Sequence, residues 1–304
     1  MRVIRDIYAE CDIEATAIAL GNFDGIHRGH QALINETVKL SKKLNLTPAV
    51  FTFHPHPKKV IEHIDEPFLI QRFKEKTKII ESFGIDIVVC AHFTQAFAEM
   101  EPYNFVKDIL IDRMHARAIC VGHDYTFGKK ALGTTKTLRE LSNSLGFELI
   151  VIPPFKINGT IVSSTRIREF LRTGQIGLAN EFLGRNYTIS GIVKEGEGRG
   201  SSLGFPTANI YPTNEILLTN GVYAAYVYID SKKYAAAVNV GVNPTFKGTQ
   251  KHIEAFIFDF NGDLYRKRIT IEFIDFIRPE RKFKRIDDLI SQIKQDIKQI
   301  KTIL

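Results

Sequence analysis

The hydrophobic pattern of the chain changes character after its middle, and that change limits the folds open to it. Up to Ile152, short runs that are apolar throughout alternate with longer amphipathic stretches. Thr16–Leu20, Thr47–Phe53, Ile85–Cys90, Ala116–Val121 and Glu148–Ile152 read as strands, and His30–Leu44, Gln71–Phe83, Asn104–Met114 and Thr135–Leu145 as the helices between them. Apolar strands separated by helices predict a parallel sheet covered on both faces. Ligands of such sheets bind beyond the carboxyl ends of the strands. From Tyr187 onward the strand-like runs follow one another without long helices: Tyr187–Lys194, Val222–Ile229, Tyr234–Val240, His252–Phe258 and Arg268–Ile277. Glycine and asparagine turns separate them, and Asn261-Gly262-Asp263 reads as a hairpin signal. This half predicts a compact antiparallel β-barrel. A final helix, Ile286–Ile303, carries Leu289, Ile290, Ile293, Ile297 and Ile300 on one face. The boundary is expected at Gly184, which gives domains 1–184 and 185–304 of the 304 residues.

Composition narrows the class of partner. Hydrophobic residues make up 44% and charged residues 25%, as in ordinary globular proteins. No apolar run approaches the roughly 20 residues that span a bilayer. The start, Met1-Arg2-Val3-Ile4-Arg5-Asp6, has no apolar signal core, so a cytoplasmic protein is expected. Cys11, Cys90 and Cys120 have neither zinc spacing nor a disulfide pattern. Cys90 and Cys120 end apolar runs and read as buried strand thiols. The net charge of +7 is spread thinly over stretches such as Lys39–Lys43 and Lys282–Lys301. Such runs read as solvated helix faces. No nucleic-acid signature accompanies them, so neither nucleic acid nor membrane is an expected partner.

Three segments of the first half point to an anion. Gly21-Asn22-Phe23-Asp24-Gly25-Ile26-His27-Arg28-Gly29-His30 follows a strand and opens a helix. Its geometry aims backbone N–H groups and two imidazoles at one point, and Gly29 removes a side chain where a phosphate approaches. Val162-Ser163-Ser164-Thr165-Arg166-Ile167-Arg168 begins a helix with hydroxyls and follows them with arginines. Gly122-His123-Asp124-Tyr125-Thr126-Phe127-Gly128-Lys129-Lys130 adds two glycines and two lysines after another strand. In the second half, Gly196-Glu197-Gly198-Arg199-Gly200-Ser201-Ser202-Leu203-Gly204-Phe205-Pro206-Thr207-Ala208-Asn209 is glycine-rich but lacks the Lys-Ser/Thr of a P-loop. Thr207 and Asn209 alternate on an extended chain, so their oxygens share a face suited to Mg²⁺ already bound to phosphates. Glu254, within an apolar strand, is costly unless it is paired or used. A structural salt bridge is the alternative role for it, and Glu272 is a rival base.

Together with Thr52-Phe53-His54-Pro55-His56-Pro57, the first-half segments resemble the His-x-Gly-His nucleotidyltransferases, which have a Rossmann-like domain. More narrowly, they resemble the N-terminal module of the bacterial bifunctional riboflavin kinase/FMN adenylyltransferases. Gly204–Asn209, Asn239–Phe246, Ile253–Phe260 with Gly262–Tyr265, and Ile277–Phe283 resemble successive blocks of the riboflavin kinase module. The resemblance implies two reactions, ATP with riboflavin to FMN and ATP with FMN to FAD, with Mg²⁺ as the ion and riboflavin, FMN and ATP as the small-molecule partners. It implies that His27 and His30 contact the ATP phosphates and that Ser164, Thr165 and Arg168 hold the triphosphate. Gly21, Asn22, Phe23 and Asp24 would border the adenosine, and His54, Pro55, His56 and Pro57 the flavin, with Asp124 among the ligand-binding positions. In the second module Gly196, Gly198, Gly204, Phe205 and Pro206 would cradle ligand, Thr207 and Asn209 would hold Mg²⁺, and Glu254 would be the catalytic base. Ala131 and Thr134 depart from the family pattern, which carries an arginine and an aspartate there; Lys129 or Lys130 could supply the missing charge. The alternatives are a chain with one active module, and a flavin-sensing or RNA-binding regulator on the same fold.

Overall fold

The computed structural model describes all residues except 10–11, 196–199, 201–202, 216 and 246–247, and only the backbone of 243–245 and 248–250. The chain forms two compact units, residues 1–66 with 71–163 and residues 67–70 with 164–304.

The first unit is built on six parallel strands in the order β1-β4-β3-β2-β5-β6. They are β1 (Arg2–Ile4), β2 (Thr16–Leu20), β3 (Thr47–Phe53), β4 (Ile87–Ala91), β5 (Ala116–Gly122) and β6 (Glu148–Ile152). Successive side chains of a strand point to opposite faces, and here both faces are buried. Ile18, Leu20, Phe51, Val89, Ile119 and Val121 pack into one core. Ala17, Ala19, Val50, Val88, Ala118 and Cys120 pack into the other. That two-sided burial is why these strands read as apolar throughout. Cys90 and Cys120 are buried thiols, and burial pushes Cys120 up to about 11. From β2 the chain builds outward through β3 and β4, then returns to the other side of β2 as β5. The turn after β2 therefore stands at the point where strand order reverses, the usual crevice for a ligand.

Two sequence expectations for helices change in this unit. The helix at Gln71–Phe83 is shorter, Phe73–Ser82. The segment expected as an α-helix over Asn104–Met114 is a π-helix over Phe105–Arg113, with Met114 N–H donating to Ile109 O at 3.0 Å. The wider winding keeps Met114 on the buried face with Phe105 and Ile109.

The second unit is a closed barrel of six antiparallel strands in the order β10-β13-β12-β11-β14-β9, with β9 pairing β10 to complete the ring. Its strands are β9 (Tyr187–Lys194), β10 (Ala208–Pro212), β11 (Gly221–Ile229), β12 (Lys232–Thr245), β13 (Gly248–Ile257) and β14 (Arg268–Pro279). Ile189, Ile210, Tyr223, Val238, Ile253 and Phe273 are among the side chains buried in this unit. The helices Ser164–Arg172 and Ile176–Leu183 belong to the same unit. Asn261-Gly262 is not a hairpin turn. β13 is already paired on both edges by β10 and β12, and β14 by β9 and β11, so the segment between them is a crossing connection.

The helix Ile286–Ile303 covers the outer face of the barrel. Ile300 is fully buried against Ala224 and Phe258, with Val222, Ala237, Phe256 and Ile297 around them. Such burial contributes about 1.5–3 kcal/mol for a side chain of this size. A charged clamp fixes the helix beside this apolar seam. Arg278 Nε lies 3.0 Å from both oxygens of Asp296, and Nη2 lies 2.8 Å from Oδ2. Gln292 Nε2 donates to Asp296 Oδ1 at 2.9 Å. Removing one partner leaves the other charge buried and uncompensated. Asp296→Ala is therefore expected to destabilise the barrel unit by about 3–5 kcal/mol. The shift of its urea-unfolding transition against the wild-type chain measures this.

Candidate active sites

The turn after β2 is held in an uncommon backbone. Phe23 and Ile26 have φ of 49° and 38°, and Gly25 has 86°. Left-handed φ costs a non-glycine residue of order 1–3 kcal/mol, most of all a β-branched one. Packing over-determines the shape, because the Phe23 and Ile26 side chains are wholly buried in the core. Phe23 is enclosed as a whole residue, and its ring lies 5.1 Å from His30 as a floor. Asn22 is exposed while its carbonyl accepts Thr52 Oγ1 at 3.1 Å and Lys76 Nζ at 2.7 Å. Gly21 N–H continues the β3 pairing to Phe51 O at 3.2 Å. Asp24 is buried.

The helix Arg28–Leu44 starts on a histidine cap. His27 Nδ1 accepts the His30 N–H at 3.2 Å, so that N–H is committed to the cap and not free for an anion. The two imidazoles stack at 3.6 Å with 13° between their planes. The structure therefore does bring His27 and His30 together on one face. Gly29 also makes room within the protein itself. A Cβ there would stand 3.2 Å from His27 Nδ1, so the glycine admits the imidazole.

His54 and His56 separate in role. His56 is buried and caps the one-turn helix Pro57–Ile61, its Nδ1 accepting Lys58 N–H at 3.2 Å, and Pro57 is the first residue of that turn. His54, in a cis peptide bond with Pro55, is exposed, with its ring 5.9 Å from Phe73. Partial burial, then the Lys76, Arg5 and His92 charges, lower the His54 pKa. Lys76 was missed in the sequence. It is buried on the face of its helix that carries Ile80, and burial lowers its pKa while Asp24 partly opposes the shift. A lysine on an apolar helix face was the available signal.

The third segment lies after β5. Asp124 is exposed, with His123 Nδ1 3.8 Å away. Lys129 is engaged by Glu99 at 3.4 Å and Glu101 at 3.7 Å, whereas Lys130 is exposed with no ion pair among the described residues. Thr134 caps the helix Thr135–Leu145 in a reciprocal pair with Thr137. A hydroxyl fills the capping role that a carboxylate could also fill. Ser164, Thr165 and Arg168 open the helix Ser164–Arg172 of the second unit. Arg168 is buried, its guanidinium 3.8 Å over the Phe68 ring and its Nε donating to Phe68 O at 2.8 Å.

In the barrel unit a cavity of about 300 Å³ opens between the outer barrel face and the C-terminal helix. Phe205, Thr207, Asn239, Glu254, Phe256 and Arg278 are among its walls. Strand register explains the grouping. Glu254 on β13 stands opposite Asn209 on β10 and opposite Asn239 on β12. Asn239, flanking Glu254 from the far side, was not assigned a role from the sequence. Glu254 alternates with buried Ile253 and Ala255, so its carboxylate faces outward, toward the cavity. Gly204 has φ of 87°, and Phe205 N–H turns back to Gly200 O at 2.8 Å, which brings the Phe205-Pro206-Thr207 segment to the mouth. Pro206 is exposed. A Cβ at Gly200 would overlap the Phe205 carbonyl, so this curl needs a glycine. Gly196 and Gly198 lie outside the described residues. The rival carboxylate, Glu272, does not line the cavity. It accepts from Tyr228 Oη at 2.7 Å, Asn186 Nδ2 at 2.9 Å and Lys233 Nζ at 3.4 Å.

Burial works against the Glu272 charge, but the Tyr228 and Asn186 hydrogen bonds and the Lys233 ammonium outweigh it and hold its pKa below the usual carboxylate value. A depressed folded pKa adds stability at neutral pH that is lost as pH falls through the carboxylate range. Glu272→Gln is thus expected to lower stability at pH 7, with the gap to wild type closing in acid. Thermal unfolding as a function of pH checks this. The same variant is expected to retain the chemistry of the cavity, and losing it as fully as a Glu254 variant would reverse the choice of base.

Comparison with known proteins covers both units. The family model for FAD synthetase matches residues 10–166 and that for riboflavin kinase residues 183–304. The chain is 37% identical to the bifunctional riboflavin kinase/FMN adenylyltransferase of Buchnera aphidicola from Acyrthosiphon pisum, covering 98% of this chain and 96% of that one. It is 32% identical to the Escherichia coli K12 protein of the same description, covering 97% and 96%, and 37% identical to that of Bacillus subtilis, covering 92% and 90%. A solved structure from Streptococcus pneumoniae, described as a macrolide-efflux protein, matches with a TM-score of 0.90 and 32% identity over 99% of this chain and 98% of its own. Among the described residues of this chain no helix is long and apolar enough to cross a membrane.

Proposed function

The chain belongs to the bifunctional riboflavin kinase/FMN adenylyltransferases, and on that premise we propose which of its residues carry each reaction. The enzyme phosphorylates riboflavin to FMN with ATP and adenylylates FMN to FAD with release of pyrophosphate. We divide the work at Gly184, with adenylyl transfer in residues 1–184 and the kinase in 185–304. We assign both reactions to the cytoplasm, with small-molecule substrates and neither nucleic acid nor membrane as a partner.

The observation that carries the kinase assignment is the row Asn209–Glu254–Asn239, of which Glu254 and Asn239 line a cavity. Glu254 accepts the proton of the ribityl 5′-hydroxyl as that oxygen attacks the γ-phosphorus. The apolar seam formed by Val222, Ala237, Phe256 and Leu289 offers the isoalloxazine a surface, and Phe205 closes over Phe256, edge to face at 5.7 Å. Thr207 lines the same cavity and Asn209 stands opposite the base, and both present hard oxygens of the kind Mg²⁺ prefers. When bound, the ion neutralises charge on the transferring phosphates. Gly204, Phe205 and Pro206 shape the entrance, and Gly196 and Gly198 are assigned to the phosphates by likeness to the family alone.

For adenylyl transfer, the stacked His27 and His30 at a helix N-terminus address the ATP phosphates. Ser164, Thr165 and Arg168 are assigned to the triphosphate by likeness to the family. Gly21, Asn22, Phe23 and Asp24 are assigned to the border of the adenosine by likeness to the family, with Asp124 beyond β5. His54 and Pro55 border the flavin, while His56 and Pro57 act by shaping that segment. The FMN phosphate attacks the α-phosphorus in line and pyrophosphate leaves, so the protein's part is alignment and relief of developing charge. With Lys129 already paired, Lys130 is the cation that substitutes for the family arginine.

Separate assays of the two products test the division. His30→Ala is expected to reduce FAD formation from FMN and ATP while FMN formation stays within about twofold of wild type. Glu254→Gln is expected to reduce kinase kcat by about 10²–10⁴-fold while FAD formation from supplied FMN continues. A folded variant that loses both activities would overturn the two-site assignment.

A further inference from the structure

One polar side chain beside Glu254 has no part in the assignment above. His252 precedes Glu254 by two residues on β13, so both project from the outer face of the barrel. Its Nε2 stands 3.7 Å from Glu254 Oε1. Its Nδ1 is buried and has no hydrogen-bond partner among the described residues. With an acceptor beside Nε2 and none at Nδ1, the ring N–H belongs on Nε2, facing the carboxylate.

The space for this ring is built in. Gly241 stands opposite His252 in the β12–β13 ladder. A Cβ at Gly241 would come 2.9 Å from His252 Cε1 and would overlap Glu280 Oε1. The ring is therefore backed by bare backbone on one side and faces Glu254 on the other. His252 is not among the residues that line the cavity, whereas Glu254, Asn239 and Glu280 are. Glu280 is engaged through its other oxygen by Asn220 Nδ2 at 3.3 Å, and the nearby Arg278 by Asp296 at 2.8 Å. Of these groups, His252 is the donor set beside Glu254 Oε1.

We propose that His252 is a positioning residue for the kinase reaction: its Nε2–H fixes Glu254 Oε1 and leaves Oε2 to meet the substrate hydroxyl. The proposal rests on Glu254 being the base. Catalytic hydrogen bonds that are long in a ligand-free protein tighten in the substrate complex, and the 3.7 Å separation shortens to a hydrogen bond there. In the step itself, the hydroxyl proton passes to Oε2 as its oxygen bonds to the γ-phosphorus. The bond from that phosphorus to the β–γ bridging oxygen breaks, and ADP leaves. His252 keeps its proton throughout. The ligand class it serves is a primary alcohol, and its contribution is aim.

The test compares His252→Phe, which fills the space without an N–H, with His252→Gln, which restores an N–H at similar reach. Full-length protein, riboflavin, ATP and Mg²⁺ are used, and kcat and KM for riboflavin are measured. The Phe variant is expected to lose about 10- to 100-fold in kcat with KM for riboflavin within about twofold, and the Gln variant to recover most of the loss. Quenching of riboflavin fluorescence on binding reports a folded barrel; should the Phe variant lose it, His252→Leu takes its place. A Phe or Leu variant with wild-type kcat, a loss confined to KM, or a Gln variant no better than Phe would each overturn the proposal. Glu254→Gln run alongside separates the two ideas. If it keeps wild-type kcat, the choice of base fails; if it is inactive while His252→Phe is unaffected, only the positioning role fails.

Discussion

Backbone pairing fixes where the candidate side chains carried on strands, and the turns that follow strands, can stand. Buried N–H and C=O groups must find partners, so a strand in a sheet has little freedom of register. In the first unit, parallel pairing on both sides of β2 sets the turn that follows it at the sheet's reversal point. In the second, closure of β9 onto β10 leaves no free edge and dictates that Glu254 has an asparagine on each side. A slip of one residue along β13 would exchange Glu254 with a core alanine or isoleucine. The apolar interior thus specifies the position of the carboxylate that stands outside it.

Buried charge is handled differently in the two units. In the barrel, Arg278 and Asp296 meet in a bidentate pair, and Glu272 is satisfied by Tyr228, Asn186 and Lys233. These groups neutralise one another and hold elements in place. Glu254 and His252 are less completely engaged, with 3.7 Å between them. In the parallel-sheet unit, Lys76 gives a hydrogen bond to the Asn22 carbonyl from a buried position. It lies close under the turn, where Asp24 partly opposes the lowering of its pKa and where its charge helps to lower that of His54.

Much of this was legible in the sequence because the two halves obey different periodicities. Uniformly apolar strands declared a sheet buried on both sides, and the consecutive strand-like runs declared a barrel. What escaped was set by tertiary context. Asn158-Gly159 makes a tight turn between β7 (Lys156–Ile157) and β8 (Thr160–Ile161), with φ of 48° and 78°. Asn261-Gly262, the same dipeptide, joins two strands whose edges are taken by others. Local turn chemistry could not distinguish the two. The histidines were found, but their division of labour was not, because capping by His27 and His56 depends on where each helix begins. Lys76, Asn239 and His252 were overlooked for a shared reason: each gains meaning only from a neighbour set by the fold, under a turn, across a ladder or along one strand face.

The left-handed backbone at Phe23 and Ile26 has a consequence for how the first site recognises anything at all. A loop whose unusual shape is enforced from beneath by core side chains is a template, cast before the ligand arrives. A ligand bound there would match a form already set, with little entropy left for the loop to surrender on binding. The same property ties the shape of the turn to the packing of the core. A change in the hydrophobic floor under the turn alters the mould, and the surface above keeps its shape only while the packing beneath it does.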